Sequence, residues 1–352
     1  MTTTVTPATM RAAIVREHGG LDKVAVEDVP IPEPAPDEVL VRVKAAGLNH
    51  LDLWVRRGVP GHPFPLPLIL GCDFAGVVEK VGSSAVRNAK PGDEVCVAPG
   101  FSCGTCAQCL AGADNLCKGY GIFGEMRNGG CAEFQVVPAA NLLPKPREMT
   151  FEQAAAWPLA FLTAWHMLVA RAALRPGETV LVHAAGSGVG SAAVQIAKLV
   201  GAQVIATAGS DAKAARALEL GADEVINHAK EDWVQTVRRM TGKRGVDVVF
   251  EHTGAATWEG SVRSLVRGGR LVTCGATSGF EAKFDLRVLF FKQLSFIGST
   301  MGSRAELWTV LDLIRAGKLR PVVDRVLPLA AIREAHRVME NREQFGKIVV
   351  VP

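Results

Sequence analysis

Tyrosine is nearly missing from this chain. Tyr120 is the only one among 352 residues, so a phenol proton donor has a single candidate. A strong charge bias is missing as well. The 39 basic and 35 acidic residues leave a net +4, and no Lys/Arg cluster is interleaved with aromatics, which argues against nucleic acid as a partner. There is no long uninterrupted apolar run. The longest stretch, residues 154–170, contains Pro158, Thr163 and His166 and reads as a buried helix pair, not a membrane span. The first fifteen residues show no charged segment leading into an apolar one, so no leader is expected there. Disulfide scaffolds are disfavoured too: four of the eight cysteines crowd into residues 103–117. A cytoplasmic protein of two domains is expected at this length.

What is present centres on residues 178–209. An apolar run at 179–183 suits a buried strand. The glycine-rich turn Ala185-Gly186-Ser187-Gly188-Val189-Gly190 follows, then a helical pattern at 192–200 closed by Gly201, then a second apolar run at 203–208. This is one βαβ unit of about 30 residues, the size of a nucleotide-binding half-fold. A helix N-terminus presents unpaired N–H groups and partial positive charge, and glycines let a pyrophosphate come close. The turn reads GxGxG, not GxGxxG, with Ser187 in the middle. Further alternation runs on, with helices at 212–220, 231–241 and 258–266 and strands at 224–226, 246–250, 270–274 and 294–298. That rhythm predicts a parallel, doubly wound sheet. Helices at 304–316 and 331–341 and a last strand at 347–351 follow. Before this region the chain is β-rich, with short alternating runs at 11–44, strands at 72–81 and 94–98, and proline-rich turns.

The cysteine lobe carries the clearest local chemistry. Cys103, Cys106, Cys109 and Cys117 are spaced to wrap one tetrahedral zinc closed on all four sides, which makes the site structural, not catalytic. An Fe–S cluster is the alternative, without a second cluster motif to accompany it.

Several blocks together resemble the medium-chain dehydrogenase/reductase superfamily, which includes zinc alcohol dehydrogenases, quinone reductases and enoyl reductases. They are Ala46-Gly47-Leu48-Asn49, Gly71-Cys72-Asp73-Phe74-Ala75-Gly76, Pro91-Gly92-Asp93, the four-cysteine lobe, and the run from Leu162-Thr163-Ala164 through Gly190. The resemblance implies an α/β chain with two domains. One is a GroES-like, β-rich catalytic domain from residues 1–161 and 300–352, carrying the zinc lobe at 100–118. The other is a Rossmann domain from residues 162–299, and the active site would lie in the cleft between them. It also implies subunit pairing through the strand at 294–298, as a homodimer or a dimer of dimers, with the apolar flank 288–291 alongside.

The departures from the family pattern carry the reaction. Where the alcohol dehydrogenases hold a catalytic zinc by a cysteine, this chain has Asn49. Their histidine ligand falls at Cys72, and their third ligand falls near Leu159. Cys72, Asp73 and Asp52 are the groups from which a substitute metal set would have to be assembled. Asn49 is shared with the zinc-free reductases. The resemblance therefore implies hydride transfer from a nicotinamide cofactor to an activated C=C bond in an enone, a quinone or an enoyl thioester. Two alternatives are an alcohol or aldehyde dehydrogenase with an atypical metal site, and a catalytically inactive cofactor-binding protein. Asn49 is the expected substrate-orienting amide donor. His50 is a candidate proton relay or a plain helix-start residue. Asp52 is a candidate acid or a first-turn residue favouring the helix dipole. Cys72 is expected as a buried thiol lining the pocket. Thr163, Ser187, Gly188, Val189, Gly190, Thr253, Gly254 and Gly275 are expected around the dinucleotide. Ser210, Lys213 and His228 match positions around a 2′-phosphate, which favours NADP(H) over NAD(H), with Asp211 the contrary sign. Arg56, Arg57, Arg287 and Lys292 are available to meet an acyl carrier's phosphates, or are simply solvated.

Overall fold

The computed structural model describes residues 9–84 and 86–352. The leader-free reading of the N-terminus lies, for residues 1–8, outside them. The chain forms two compact units, one running up to Leu159 and resuming at Pro321, the other spanning Ala160–Arg320.

The first unit is built on a seven-stranded sheet. Its order is Leu142–Pro144, Glu94–Val97, Asp73–Val81, Glu38–Gly47, Lys347–Val351, Val323–Pro328, with Phe134–Pro138 also paired to Glu38–Gly47. The inner strands are buried over most of their length, and Glu38–Gly47 exposes only Arg42 and Lys44. That core gathers Val39, Val41, Leu53, Phe74, Phe123, Val338 and Ile348. Register decides what the sheet assembles. Gly47 lies opposite Asp73 on one side and opposite Val349 on the other. Residues 49, 73 and 347 are thereby brought to one end of three adjacent strands, although they lie far apart in sequence. Gly47 has to lack a side chain, because a Cβ there would sit 2.1 Å from the Ala155 carbonyl oxygen and 3.3 Å from Lys347 Cε. The short pair Gly100–Phe101 and Gly121–Ile122 closes the base of the cysteine lobe.

The second unit is a six-stranded, all-parallel sheet. Its order is Glu224–Asn227, Gln203–Ala208, Thr179–Val182, Val246–Glu251, Leu265–Thr273, Ser295–Gly298. This is the doubly wound order, whose reversal point falls beside Thr179–Val182. All four residues of that strand are buried, as a strand covered on both faces requires. The helix after it starts at Gly188, earlier than the expected 192, so Gly188, Val189 and Gly190 form its first turn. Ser187 is the reason. Its hydroxyl accepts the Gly190 N–H at 2.9 Å, an N-cap worth about 1 kcal/mol. Gly201 ends the helix in the left-handed conformation.

Helix Arg304–Arg315 lies with this second unit, whereas the resemblance placed everything from residue 300 in the catalytic domain. A polar tie holds it there: His166 Nδ1 meets the Glu306 carboxylate at 2.9 Å, and Ser303 and Glu306 form a capping box. No helix among the described residues is long and apolar enough to cross a membrane.

Candidate active site and metal lobe

The convergence at residues 49, 73 and 347 is a buried polar cluster. Asp73 is fully buried, and its side chain receives three donors. Asn49 Nδ2 donates to Oδ2 at 2.8 Å, Lys347 Nζ to the same oxygen at 3.0 Å, and the Leu159 N–H to Oδ1 at 2.8 Å. Lys347 Nζ also donates to Asn49 Oδ1 at 2.6 Å. The second N–H of Asn49 faces Cys72 Sγ at 3.1 Å and the Gly47 carbonyl at 3.4 Å. Asn49 was expected as an amide donor or substrate orienter. In the structure both ends of its amide are engaged, and the ammonium fixes which end points where.

Asp52 plays a different part. Its Oδ2 accepts the Asn49 N–H at 2.7 Å and its Oδ1 accepts the Gly71 N–H at 2.8 Å. It thus closes a capping box on helix His50–Arg57 and ties that helix start to the loop bearing Cys72. Burial pushes its carboxyl up to about 6, against the pull of those two N–H bonds. Burial, then the charge of Asp73, pushes the Cys72 thiol well above its ordinary range. His50 opens the helix half-buried, its ring edge-on to Trp54 at 5.5 Å. Tyr120 packs its hydroxyl against Gly100, where a Cβ would come within 2.0 Å of it.

Lys347 has no local signature. It opens an apolar strand, and only the pairing of strands 298 positions apart in sequence brings it to Asn49. The one hint is a lysine heading a run that is otherwise valine and isoleucine. The cations considered for an acyl carrier are occupied elsewhere. Arg56 and Arg57 both meet Glu340, Arg287 meets Asp285 at 2.7 Å, and Lys292 donates to the Leu265 carbonyl at 2.8 Å.

The cysteine lobe passes a simple test of fit. Zn–S bonds of about 2.3 Å set tetrahedral sulfurs about 3.8 Å apart. Here Cys103 and Cys109 stand at 3.8 Å, Cys106 and Cys109 at 3.5 Å, and Cys117 and Cys103 at 3.5 Å. The N–H groups of Thr105 and Cys106 hold the Cys103 thiol down to about 6, favouring the thiolate that a metal needs. Among the described residues this is the only group of three or more Cys, His, Asp or Glu whose ligand atoms converge, here within 4.8 Å of one another.

In the second unit, the strand ends expected to meet a dinucleotide rest on a buried polar network. Glu251 Oε1 accepts the N–H groups of Thr253 and Gly254 at 2.7 and 3.1 Å, and its Oε2 accepts the hydroxyls of Thr257 and Ser261, each at 2.8 Å. Burial opposes the Glu251 charge, but nearby His183 and these donors hold its pKa below the usual range. His183 lies between Ser261 and Thr207, and burial drives it down to about 4. The Thr207 hydroxyl in turn accepts the N–H of Ala184, where the glycine turn begins. Gly190 is a packing glycine, since a Cβ there would meet the Ala184 carbonyl oxygen at 2.3 Å. Gly254 and Gly275 are confined by backbone as well, with a Cβ 2.7 Å from the Gly279 oxygen and 2.9 Å from the His252 oxygen respectively. Thr163 is buried on helix Pro158–Trp165.

After the second sheet strand, Ser210 caps helix Asp211–Glu219 through the Lys213 N–H at 3.3 Å. Asp211 pairs with Lys230 and accepts from Asn227 at 2.7 Å, and these contacts hold its carboxyl below the usual range. Exposed His228 comes within 3.5 Å of a Cβ built on Gly209. A cavity of about 480 Å³ elsewhere on the unit, lined by Arg171, Arg175 and Arg267 among others, shares no residue with these positions.

A β-rich unit with a four-thiolate lobe and a doubly wound unit with a glycine turn define a zinc-binding dehydrogenase architecture. The chain belongs to the medium-chain dehydrogenase/reductase superfamily, a family of NAD(P)-dependent oxidoreductases. Residues 35–147 match the alcohol dehydrogenase GroES-like domain, and residues 188–316 match the domain described as zinc-binding dehydrogenase. A solved structure titled as an NAD-dependent alcohol dehydrogenase is 53% identical, with a TM-score of 0.93 over 97% of this chain and 100% of that one. The NAD-dependent alcohol dehydrogenase of Sulfurisphaera tokodaii is 33% identical over 97% of this chain and all of its own. The crotonyl-CoA carboxylase/reductase of Cereibacter sphaeroides is also 33% identical, over 96% of this chain and 86% of its own.

Proposed function

We propose that this oxidoreductase reduces an activated C=C bond, in an enone, quinone or enoyl thioester, using NADPH, and that its first unit carries one structural zinc. The observation behind the reaction is the Asn49–Asp73–Lys347 cluster. An ammonium and an amide stand where a carbonyl-polarising metal would need at least three ligands. A bound nicotinamide would supply the hydride. Addition at the β-carbon moves an electron pair onto the carbonyl oxygen, and a proton returns to the α-carbon. The ammonium of Lys347, which gives two of its three N–H groups to Asn49 and Asp73, is the donor able to stabilise that oxygen charge, with Asn49 holding it in place. His50, at the start of the same helix, is the candidate proton relay.

The cofactor preference rests on the end of the second sheet strand. Asp211, the acid available to a ribose diol, is engaged by Lys230 and Asn227, while Lys213 and His228 lie nearby. The zinc assignment rests on the sulfur spacing of the lobe. Pairing of two copies is proposed along Ser295–Gly298. This strand has one sheet neighbour and lies beside a helix exposing Leu286, Phe290 and Phe291, an edge open to pairing. A cytoplasmic setting, which keeps thiols reduced, completes the proposal.

A second reading has specific support. The relatives named as NAD-dependent alcohol dehydrogenases include the 53% identical structure, so alcohol oxidation is the rival activity. One set of assays separates them: NADPH and NADH oxidation with a crotonyl thioester, a quinone and a ketone, and NAD or NADP reduction with primary and secondary alcohols. Alkene or quinone turnover with kcat/KM at least tenfold above that for ketones and alcohols supports the proposal. Ketone or alcohol turnover matching or exceeding it replaces the proposal with the rival.

A further inference from the structure

We infer that Lys347 is a built-in cation of the Asn49–Asp73 cluster, and that its ammonium keeps a divalent metal out of this part of the fold. The inference stands on the cluster's own geometry and does not require that the reaction be C=C reduction.

The first ground is occupancy. Lys347 Nζ stands 2.6 Å from Asn49 Oδ1 and 3.0 Å from Asp73 Oδ2, with 4% of its side chain exposed and none of that of Asp73. Charges taken so far from water persist when they are paired and hydrogen-bonded, and here each is both. The second ground is ligand stock. A protein-bound zinc takes about three protein ligands or more. Both oxygens of Asp52 accept backbone N–H groups, and the Asn49 oxygen is covered by the ammonium. Of the groups named for a substitute set, Cys72 and Asp73 remain, both already facing the Asn49 amide N–H groups, and no third ligand atom converges with them among the described residues, nearby Cys131 included. A divalent ion reaching Asp73 would sit beside a positive ammonium on a single carboxylate, in a region where little water screens the repulsion.

The third ground is that the lysine cannot readily leave. Its strand is hydrogen-bonded on both sides, to Glu38–Gly47 and to Val323–Pro328. The glycine at position 47 leaves the space its chain runs through, 3.3 Å from where a Cβ would be. Lys347 therefore occupies a position fixed by register, not one rotamer among many.

The test reads metal content of the full-length chain by elemental analysis, after exposure to excess zinc and removal of loosely held ions. The wild type should hold one zinc per chain, in the cysteine lobe. Asn49→Cys with Lys347 retained should still hold one. The double variant Asn49→Cys/Lys347→Ala should hold two, the second released first by a chelator, whereas Asn49→Cys/Lys347→Arg should hold one. Two zincs in the wild type or in Asn49→Cys alone would overturn the inference. So would a folded double variant that stays at one, folding being checked by circular dichroism. If that double variant does not fold, Asn49→Cys/Lys347→Met, which keeps the side-chain volume without the charge, is read in the same way. With the lobe filled by zinc, added cobalt should produce no further visible absorption band, and a new tetrahedral band would refute metal exclusion. Because the readout is metal and not turnover, an incorrect substrate assignment leaves this result interpretable, and the reverse holds as well.

Discussion

Two places in the first unit gather groups able to hold a cation, and they are built on opposite plans. The cysteine lobe uses four soft ligands from one short, largely exposed loop, set at the spacing of a tetrahedral metal. The Asn49–Asp73–Lys347 cluster uses hard oxygen and nitrogen groups from two strands and a helix N-cap, buried, with its positive charge supplied by the chain. The lobe gathers thiols with no cationic side chain among them, whereas the buried acid of the cluster already meets an ammonium.

The largest effect expected from breaking this contrast is at the lobe. Structural zinc sites bind with about 10–16 kcal/mol, so losing one thiolate should empty the site. Cys106→Ser should take zinc from one per chain to none by elemental analysis and open the loop around residues 103–117 to limited proteolysis. Zinc retained at one per chain would contradict the four-thiolate assignment. Next comes the cluster's own cation. Lys347→Met leaves Asp73 buried without its counter-charge and should cost about 3–5 kcal/mol of stability in denaturant melts. Lys347→Arg should recover part of the loss, and an unchanged midpoint for Lys347→Met would mean that the pair carries no stability.

The smallest effect is a pH signature at Asp52. Its folded pKa, about 6, lies above its unfolded value near 3.8, so the folded chain holds this proton more tightly. Its contribution to stability is therefore greatest below the unfolded value and is lost as pH rises through 6, by about 3 kcal/mol in all. Asp52→Asn lacks this dependence. The wild type should gain on the variant as pH is lowered from 7 to 4, read from guanidinium midpoints of both. A constant difference would mean that burial does not perturb this carboxyl.

Short-range features were legible in the sequence. The cysteine spacing and the strand–glycine turn–helix of residues 178–209 are written within a few dozen residues, and the strand–helix alternation after them predicted the parallel, doubly wound sheet without its strand order. The start of the helix at Gly188 was misplaced because glycines were read as turn, while the Ser187 cap that draws them into the helix depends on hydrogen-bond geometry. Asn49, Asp52 and Cys72 were singled out, but their couplings were not. Those depend on Gly47 facing both Asp73 and Val349, a register that no local pattern states. Helix Arg304–Arg315 was assigned to the wrong part of the chain for the same reason, since its tie to His166 spans 140 positions.

The placement of Lys347 at the head of an interior strand also bears on how the chain tolerates truncation. A polypeptide that ends between residues 321 and 346 retains Asn49, Cys72 and Asp73, yet lacks the ammonium that Asp73 meets. Such a fragment would keep every strand of the six-stranded sheet and all four lobe cysteines, while the seven-stranded sheet lost the strand that joins Glu38–Gly47 to Val323–Pro328. Termination there should therefore unsettle the first unit, with its buried acid, before it unsettles the second.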